Sequence, residues 1–127
     1  MVETHVLTSI NATAELLNNA TILLTFTRSG ITLSKNEVMC GWNLALQLDP
    51  ERKRNILLVT APESLLDEGA RDAAFEEKTK WPFVAMVVHN LGQTIMAKMS
   101  VTKHGATSNT MVFSTIEEAK LWLSQKS

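Results

Sequence analysis

The side chains of this 127-residue sequence most able to do chemistry are three histidines, one cysteine and an acidic pair. The histidines, His5, His89 and His104, are isolated. No two of them share the His-x-x-x-His or Cys–His spacing that a zinc site uses. Cys40 falls inside a helical pattern beside Val38 and Trp42, where a thiol is expected to fill the core; a reactive thiolate wants a helix N-terminus or a cationic neighbour. The five glycines are scattered, so no phosphate-cradling loop exists. No nucleophile, base or metal set emerges, and the expectation is a protein that is not an enzyme and carries no cofactor. His89 is the best placed of the three histidines because it closes the apolar run FVAMVV (83–88). Ligand crevices in open α/β sheets lie outside the carboxyl ends of the strands. Thr60, which ends the run NILLVT (55–60), and His89 with Asn90 are therefore the candidate ligand crevice, with Ser114 on the same side. A polar strand end remains the default reading of His89.

The acidic pair, Asp67–Glu68, directly precedes Gly69 at a helix start. The spacing predicts a helix over 65–79, with Leu66, Ala70, Ala73 and Ala74 facing inward and Trp81–Pro82 ending it. Ser64, with Asp67 three residues on, reads as its capping box.

The elements that must hold these residues alternate along the chain. NILLVT and FVAMVV are continuous apolar runs, the mark of strands buried on both faces. ATILLTFT (20–27) is β-branched and apolar. It follows short apolar patterns at 5–10 and 12–17 and a turn at Asn18–Asn19, which together predict an antiparallel N-terminal hairpin. Ser34 with Glu37 forms a capping box, Val38, Trp42, Ala45 and Leu46 recur at helical spacing, and Pro50 stops that helix. Gly41 costs the helix about 1 kcal/mol against alanine and predicts that another element comes close there. Asn90 and Gln93 make a cap-like pair for a helix over 91–102, with Leu91, Ile95, Met96 and Met99 at helical spacing and Lys103, His104 and Gly105 at its end. TMVFS (110–114) is a strand. Thr115 with Glu118 opens a last helix, with Ala119, Trp122 and Leu123 inward. Alternation of this kind implies right-handed crossovers. The expected architecture is an α/β fold: one domain over 1–127, a mainly parallel mixed sheet of four to five strands with the hairpin as an antiparallel edge, and about four helices.

Lys+Arg number 12 and Asp+Glu 13, for a net charge of −1, so no concentrated basic face exists to grip nucleic acid. Arg52-Lys53-Arg54 sits beside Asp49 and Glu51 and reads as a solvated loop. No stretch approaches the roughly 20 apolar residues of a membrane span. With no signal-like N-terminus and a single cysteine, a cytoplasmic, reducing location is expected.

Three stretches together resemble the SpoIIAA-like, or STAS, domains of bacteria, especially small stand-alone members: ATILLTFTRSGITLSKNEV, ILLVTAPESLLDEGARDAAF, and WPFVAMVVHNLGQTIMAKM with the tail MVFSTIEEAKLWL. The likeness runs from about Thr13 to Leu123. Its closing motif is carried by Phe113, Ser114, Thr115, Glu117, Glu118, Ala119, Trp122 and Leu123. The resemblance implies the SpoIIAA-like fold and bacterial signalling by protein–protein contact, with an unnamed protein partner docking around Pro62–Arg71 and the helix from Asn90. In regulated members a phosphoacceptor Ser or Thr opens the helix after the second core strand, in the pattern apolar, Asp, Ser/Thr, small, Gly. Here Leu66, Asp67 and Gly69 match with one residue deleted, and Glu68 takes the acceptor position. The switch-equivalent set is thus Ser64, Asp67, Glu68 and Gly69, without the hydroxyl. Glu68 either imitates a phosphate or, the favoured reading, is a first-turn acid that helps the helix dipole by about 0.3–1 kcal/mol. The rival function is a carrier of a small apolar ligand or lipid, since Met/Leu-rich helices suit the gating of a pocket. Met86, Met96, Met99 and Met111, with Ile95, make a soft apolar set whose default is packing against the sheet; Met96, Lys98 and Met99 would partly line an exposed patch that serves a partner, a lipid or a second copy of the chain.

Overall fold

The computed structural model describes residues 6–90, 93 and 109–126. One sheet of six strands runs in the order β1-β2-β3-β5-β7-β8. Its strands are β1 (Leu7–Thr8), β2 (Ala12–Asn18), β3 (Thr21–Phe26), β5 (Asn55–Val59), β7 (Val84–Val87) and β8 (Thr110–Phe113). A separate pair, β4 (Thr32–Leu33) and β6 (Leu65–Leu66), lies parallel. The N-terminal strands pair antiparallel, and β3, β5, β7 and β8 are joined by parallel ladders. The sheet is wider than the four to five strands expected, because Leu7–Thr8 adds a short strand beyond the hairpin.

The apolar runs explain the order. All five residues of β5 and all four of β7 are buried, and these strands take the middle of the sheet. Register alternates their side chains between two cores. Leu24, Leu58, Met86 and Val112 form one row across the sheet, and this row belongs to the larger core. Leu57, Val59, Ala85 and Val87 point into the smaller one.

Helices α1 (Lys35–Leu48) and α2 (Glu68–Lys78) contribute to the larger core, and α3 (Ile116–Ser124) covers the smaller. Gln93 is also helical; the rest of the helix expected over 91–102 lies outside the described residues, as do His5, His104, Met96 and Met99. The capping box at Ser34 forms as expected; Thr115 caps the last helix, but the Glu118 carboxylate takes its hydroxyl rather than its backbone N–H, so that box is only half made. Ser34 Oγ accepts from Glu37 N, and Glu37 Oε1 accepts from Ser34 N at 3.0 Å. Those bonds hold the Glu37 carboxyl below its usual range. Thr115 Oγ1 accepts from Glu118 N.

Gly41 does let another element approach. A Cβ there would stand 2.7 Å from the Phe26 ring, so the glycine allows α1 to settle on β3. Trp42, one residue on, is completely buried; losing such a side chain costs about 3–5 kcal/mol.

Two expectations fail here. Cys40 is exposed rather than a core residue, because the buried stripe of α1 runs through Val38, Gly41, Trp42, Leu44 and Ala45 and leaves Cys40 outside it. The loop Arg52-Lys53-Arg54 is not simply solvated. Arg52, at φ 53°, pairs with the buried Glu77, and Arg54 reaches Asp49 and the Asn19 carbonyl. Asp49 is itself buried and takes the Lys53 and Arg54 amides, both at 2.8 Å, which turns the chain sharply after Pro50.

Candidate functional site

The turn from β5 to α2 departs from the sequence expectation. Ser64 does not cap the helix; it is buried and its hydroxyl donates to the Ala61 carbonyl at 3.2 Å. Leu65–Leu66 stays extended because it pairs with Thr32–Leu33, with Leu65 N donating to Ile31 O and Asp67 N to Leu33 O. Helix α2 therefore begins three residues later than a Ser64 cap implies. Asp67 is the N-cap, its Oδ1 accepting from Ala70 N at 2.8 Å. Glu68 is the first helical residue and is exposed; Gly69 follows, also exposed. A Cβ on Gly69 would meet only ordinary contacts, with Asp67 Oδ1 at 3.6 Å and Lys35 Cβ at 3.8 Å, so no close packing demands glycine there. The first turn holds Glu68, Gly69 and Ala70 and has no hydroxyl.

Thr60, His89 and Asn90 do come together, and a residue assigned only a capping role joins them. Gln93 is buried. Its Oε1 accepts from His89 N at 2.8 Å and lies 3.1 Å from Thr60 Oγ1; its Nε2 donates to Ala61 O at 2.6 Å and Ser64 O at 2.8 Å. Asn90 Oδ1 accepts from Gln93 N at 2.8 Å, the expected cap. One amide thus ties the ends of β5 and β7 to the turn before α2. The His89 ring meets the Thr60 carbonyl through Nε2, and since a carbonyl only accepts, that nitrogen carries the proton. Ser114 is exposed and takes no part in this network. The expected crevice is thus a knot of mutual hydrogen bonds. Among the described residues no cluster of His, Cys, Asp or Glu could hold a metal.

An open space lies next to the knot. A pocket of about 70 Å³ sits between α1, α2 and the sheet. The sheet supplies Phe26, Leu58 and Met86, with Val88 just past the end of β7; α1 supplies Val38 and Trp42; α2 supplies Arg71, Ala74 and Lys78. Ser64, Leu65 and Leu66 close it from the turn, with Thr60 and Gln93 beside them. Lys78 is the unexpected member. It is 4% exposed, and among the described residues no hydrogen bond or ion pair reaches its Nζ. Burial pushes its ammonium down from 10.5 to about 8. The sequence held a signal for it: Ala70, Ala74 and Lys78 fall at i, i+4 and i+8, on one stripe of α2.

No family model matches the chain, and no curated protein does. Among solved structures, it is similar to an uncharacterized protein from the DUF3478 family with a SpoIIAA-like fold, from Shewanella loihica PV-4. The TM-score is 0.55 at 12% sequence identity, over 95% of this chain and 92% of that one. The chain has a SpoIIAA-like fold. In this SpoIIAA-like fold the helix start singled out by the sequence is the N-terminus of α2, and the pocket opens directly behind the turn that leads to it.

Proposed function

We propose that this SpoIIAA-like domain is a non-enzymatic binding module that takes a small, largely apolar ligand in the pocket behind the Ala61–Asp67 turn. One observation carries the reading: a space lined by Trp42, Leu58, Val38 and Met86 in which, among the described residues, few side chains are polar, the usual make-up of a small-molecule site. The volume, about 70 Å³, favours a short molecule over a lipid chain. No helix among the described residues is long and apolar enough to cross a membrane. An unpaired, exposed cysteine fits a reducing compartment such as the cytoplasm. A thermal-shift screen of small apolar molecules tests the reading, with Ala74→Phe as the control that fills the space. Hits are expected to raise Tm in the natural protein and not in Ala74→Phe. Hits that act equally on both would place the binding elsewhere.

A second reading, protein–protein signalling through Pro62–Arg71, draws on the same turn. Leu65 is an exposed large apolar side chain there, flanked by Glu63, Asp67 and Glu68. With no hydroxyl in the first turn of α2 and the Ser64 hydroxyl buried, this reading has Glu68 as a plain first-turn acid and no phosphate switch. Pull-down with natural protein and Glu68→Lys tests it. A partner lost in the variant supports the surface; one retained moves it elsewhere. Label on Ser64 after incubation with kinases would contradict the absence of a switch.

A further inference from the structure

We infer that the pocket selects ligands bearing a carboxylate, with Lys78 Nζ as the counter-ion, in a small acid whose body is a short aliphatic chain or a single ring. The inference rests on the pocket reading above and adds the ligand's charge and class.

Four observations carry it. The described residues around the pocket include two cations, Arg71 and Lys78, and no Asp or Glu. Lys78 is more than nine-tenths buried and no described residue bonds its Nζ. Among the described residues no side-chain nitrogen or oxygen sealed from solvent lacks a partner, so the Lys78 ammonium stays in contact with the open space of the pocket while burial of the side chain still penalises its charge. The uncharged polar groups beside it are already committed: the Ser64 hydroxyl to Ala61 O, the Thr60 hydroxyl to Val87 O and Gln93, and the Gln93 amide to Ala61 O and Ser64 O. What the pocket has left to offer a polar ligand is positive charge. A carboxylate supplies the acceptor that Lys78 lacks, and charge-assisted bonds of this kind are the stronger ones. Arg71, half-buried on α2, makes no ion pair among the described residues and stands ready as a second contact. The rest of the ligand meets Leu33, Val38, Trp42 and Leu58, and a space of about 70 Å³ favours a short chain or a single ring.

The test compares acids with their neutral twins. Dissociation constants are measured by NMR titration at pH 7 for 3-methylbutanoate, hexanoate and benzoate, each beside its amide, on the natural protein and on Lys78→Met. The tightest acid is expected to bind at least tenfold more strongly than its amide. In Lys78→Met that ratio is expected to fall to about one, with the amide bound as well as before or better. Equal binding of acid and amide by the natural protein overturns the counter-ion and leaves the pocket standing; this comparison needs no variant, so it holds even where Lys78→Met folds poorly. A ratio that survives in Lys78→Met gives the charge to Arg71 and overturns the assignment to Lys78. No binding of any probe defeats the pocket and the inference together. Dodecanoate separates the two sources of the same head group: it is expected to bind no tighter than hexanoate, and affinity that climbs with chain length overturns the short-acid class in favour of a fatty acid.

Discussion

Glu77 and Lys78 are neighbours at the end of α2, and both are buried, yet the structure treats them in opposite ways. Glu77 is saturated. It takes Arg52 through two bonds at 2.9 and 3.3 Å and the Trp81 indole at 3.0 Å, with Lys80 at 3.9 Å. Lys78, turned toward the pocket, has no partner among the described residues. A buried charge surrounded by its own donors is a structural joint, here fixing the loop after α1 to the end of α2. A buried charge facing open space is a vacancy for an opposite one. The contrast separates the part of the fold that holds its shape from the part that, on the proposed reading, takes a ligand.

The comparison can be broken at either residue. Glu77→Ala strands Arg52 and the Trp81 N–H and is expected to cost about 3–5 kcal/mol in urea unfolding. A cost of less than about 1 kcal/mol, the size of a surface pair, would make Glu77 no joint at all. Lys78→Met carries the opposite sign and is expected to stabilise at pH 7, because it removes a charge that burial penalises. The gain must depend on pH. With a native value of about 8 against 10.5 in the unfolded chain, lysine is protonated in both states below pH 8, and the native state bears the whole burial cost. Between 8 and 10.5 the native lysine sheds its proton first, so the natural protein gains stability as pH rises and the advantage of Lys78→Met shrinks. A stability difference that is flat from pH 7 to 10.5 would contradict the vacancy.

The smallest effects lie at the other end of α2. Asp67→Ala removes the N-cap and is expected to cost about 1 kcal/mol. Ser64→Ala is expected to cost less, because the Ala61 carbonyl it leaves keeps the Gln93 amide. The reverse order in thermal unfolding would restore Ser64 as the cap.

Much of this was legible in the sequence where the signal is local. NILLV and VAMV declare central strands by their nearly unbroken apolar run, and the capping box at Ser34 and the N-cap at Thr115 close within three residues. Gly41 announced a close approach although not its partner, Phe26. The misread features depend on distant pairing. Helix α2 starts at Asp67 because Leu65–Leu66 is drawn into a ladder with Thr32–Leu33, more than thirty residues earlier. Arg52 looks like a loop charge until α2 brings Glu77 beneath it. Gln93 bonds to Ala61 and Ser64 some thirty residues back, a reach that its spacing from Asn90 does not reveal. Lys78 was written on the inward stripe of α2, but only the packed helices show that the stripe ends in open space.

The most direct measurement is the titration of the Lys78 side chain by NMR, through its 13Cε and 15Nζ shifts, in the free protein and with saturating 3-methylbutanoate. In the free protein it should titrate near 8. With the acid bound it should move back toward the ordinary lysine range, because a carboxylate favours the charged form. A free-protein value at 10.5, or a value near 8 that the bound acid leaves unchanged, would contradict a buried cation waiting for its anion.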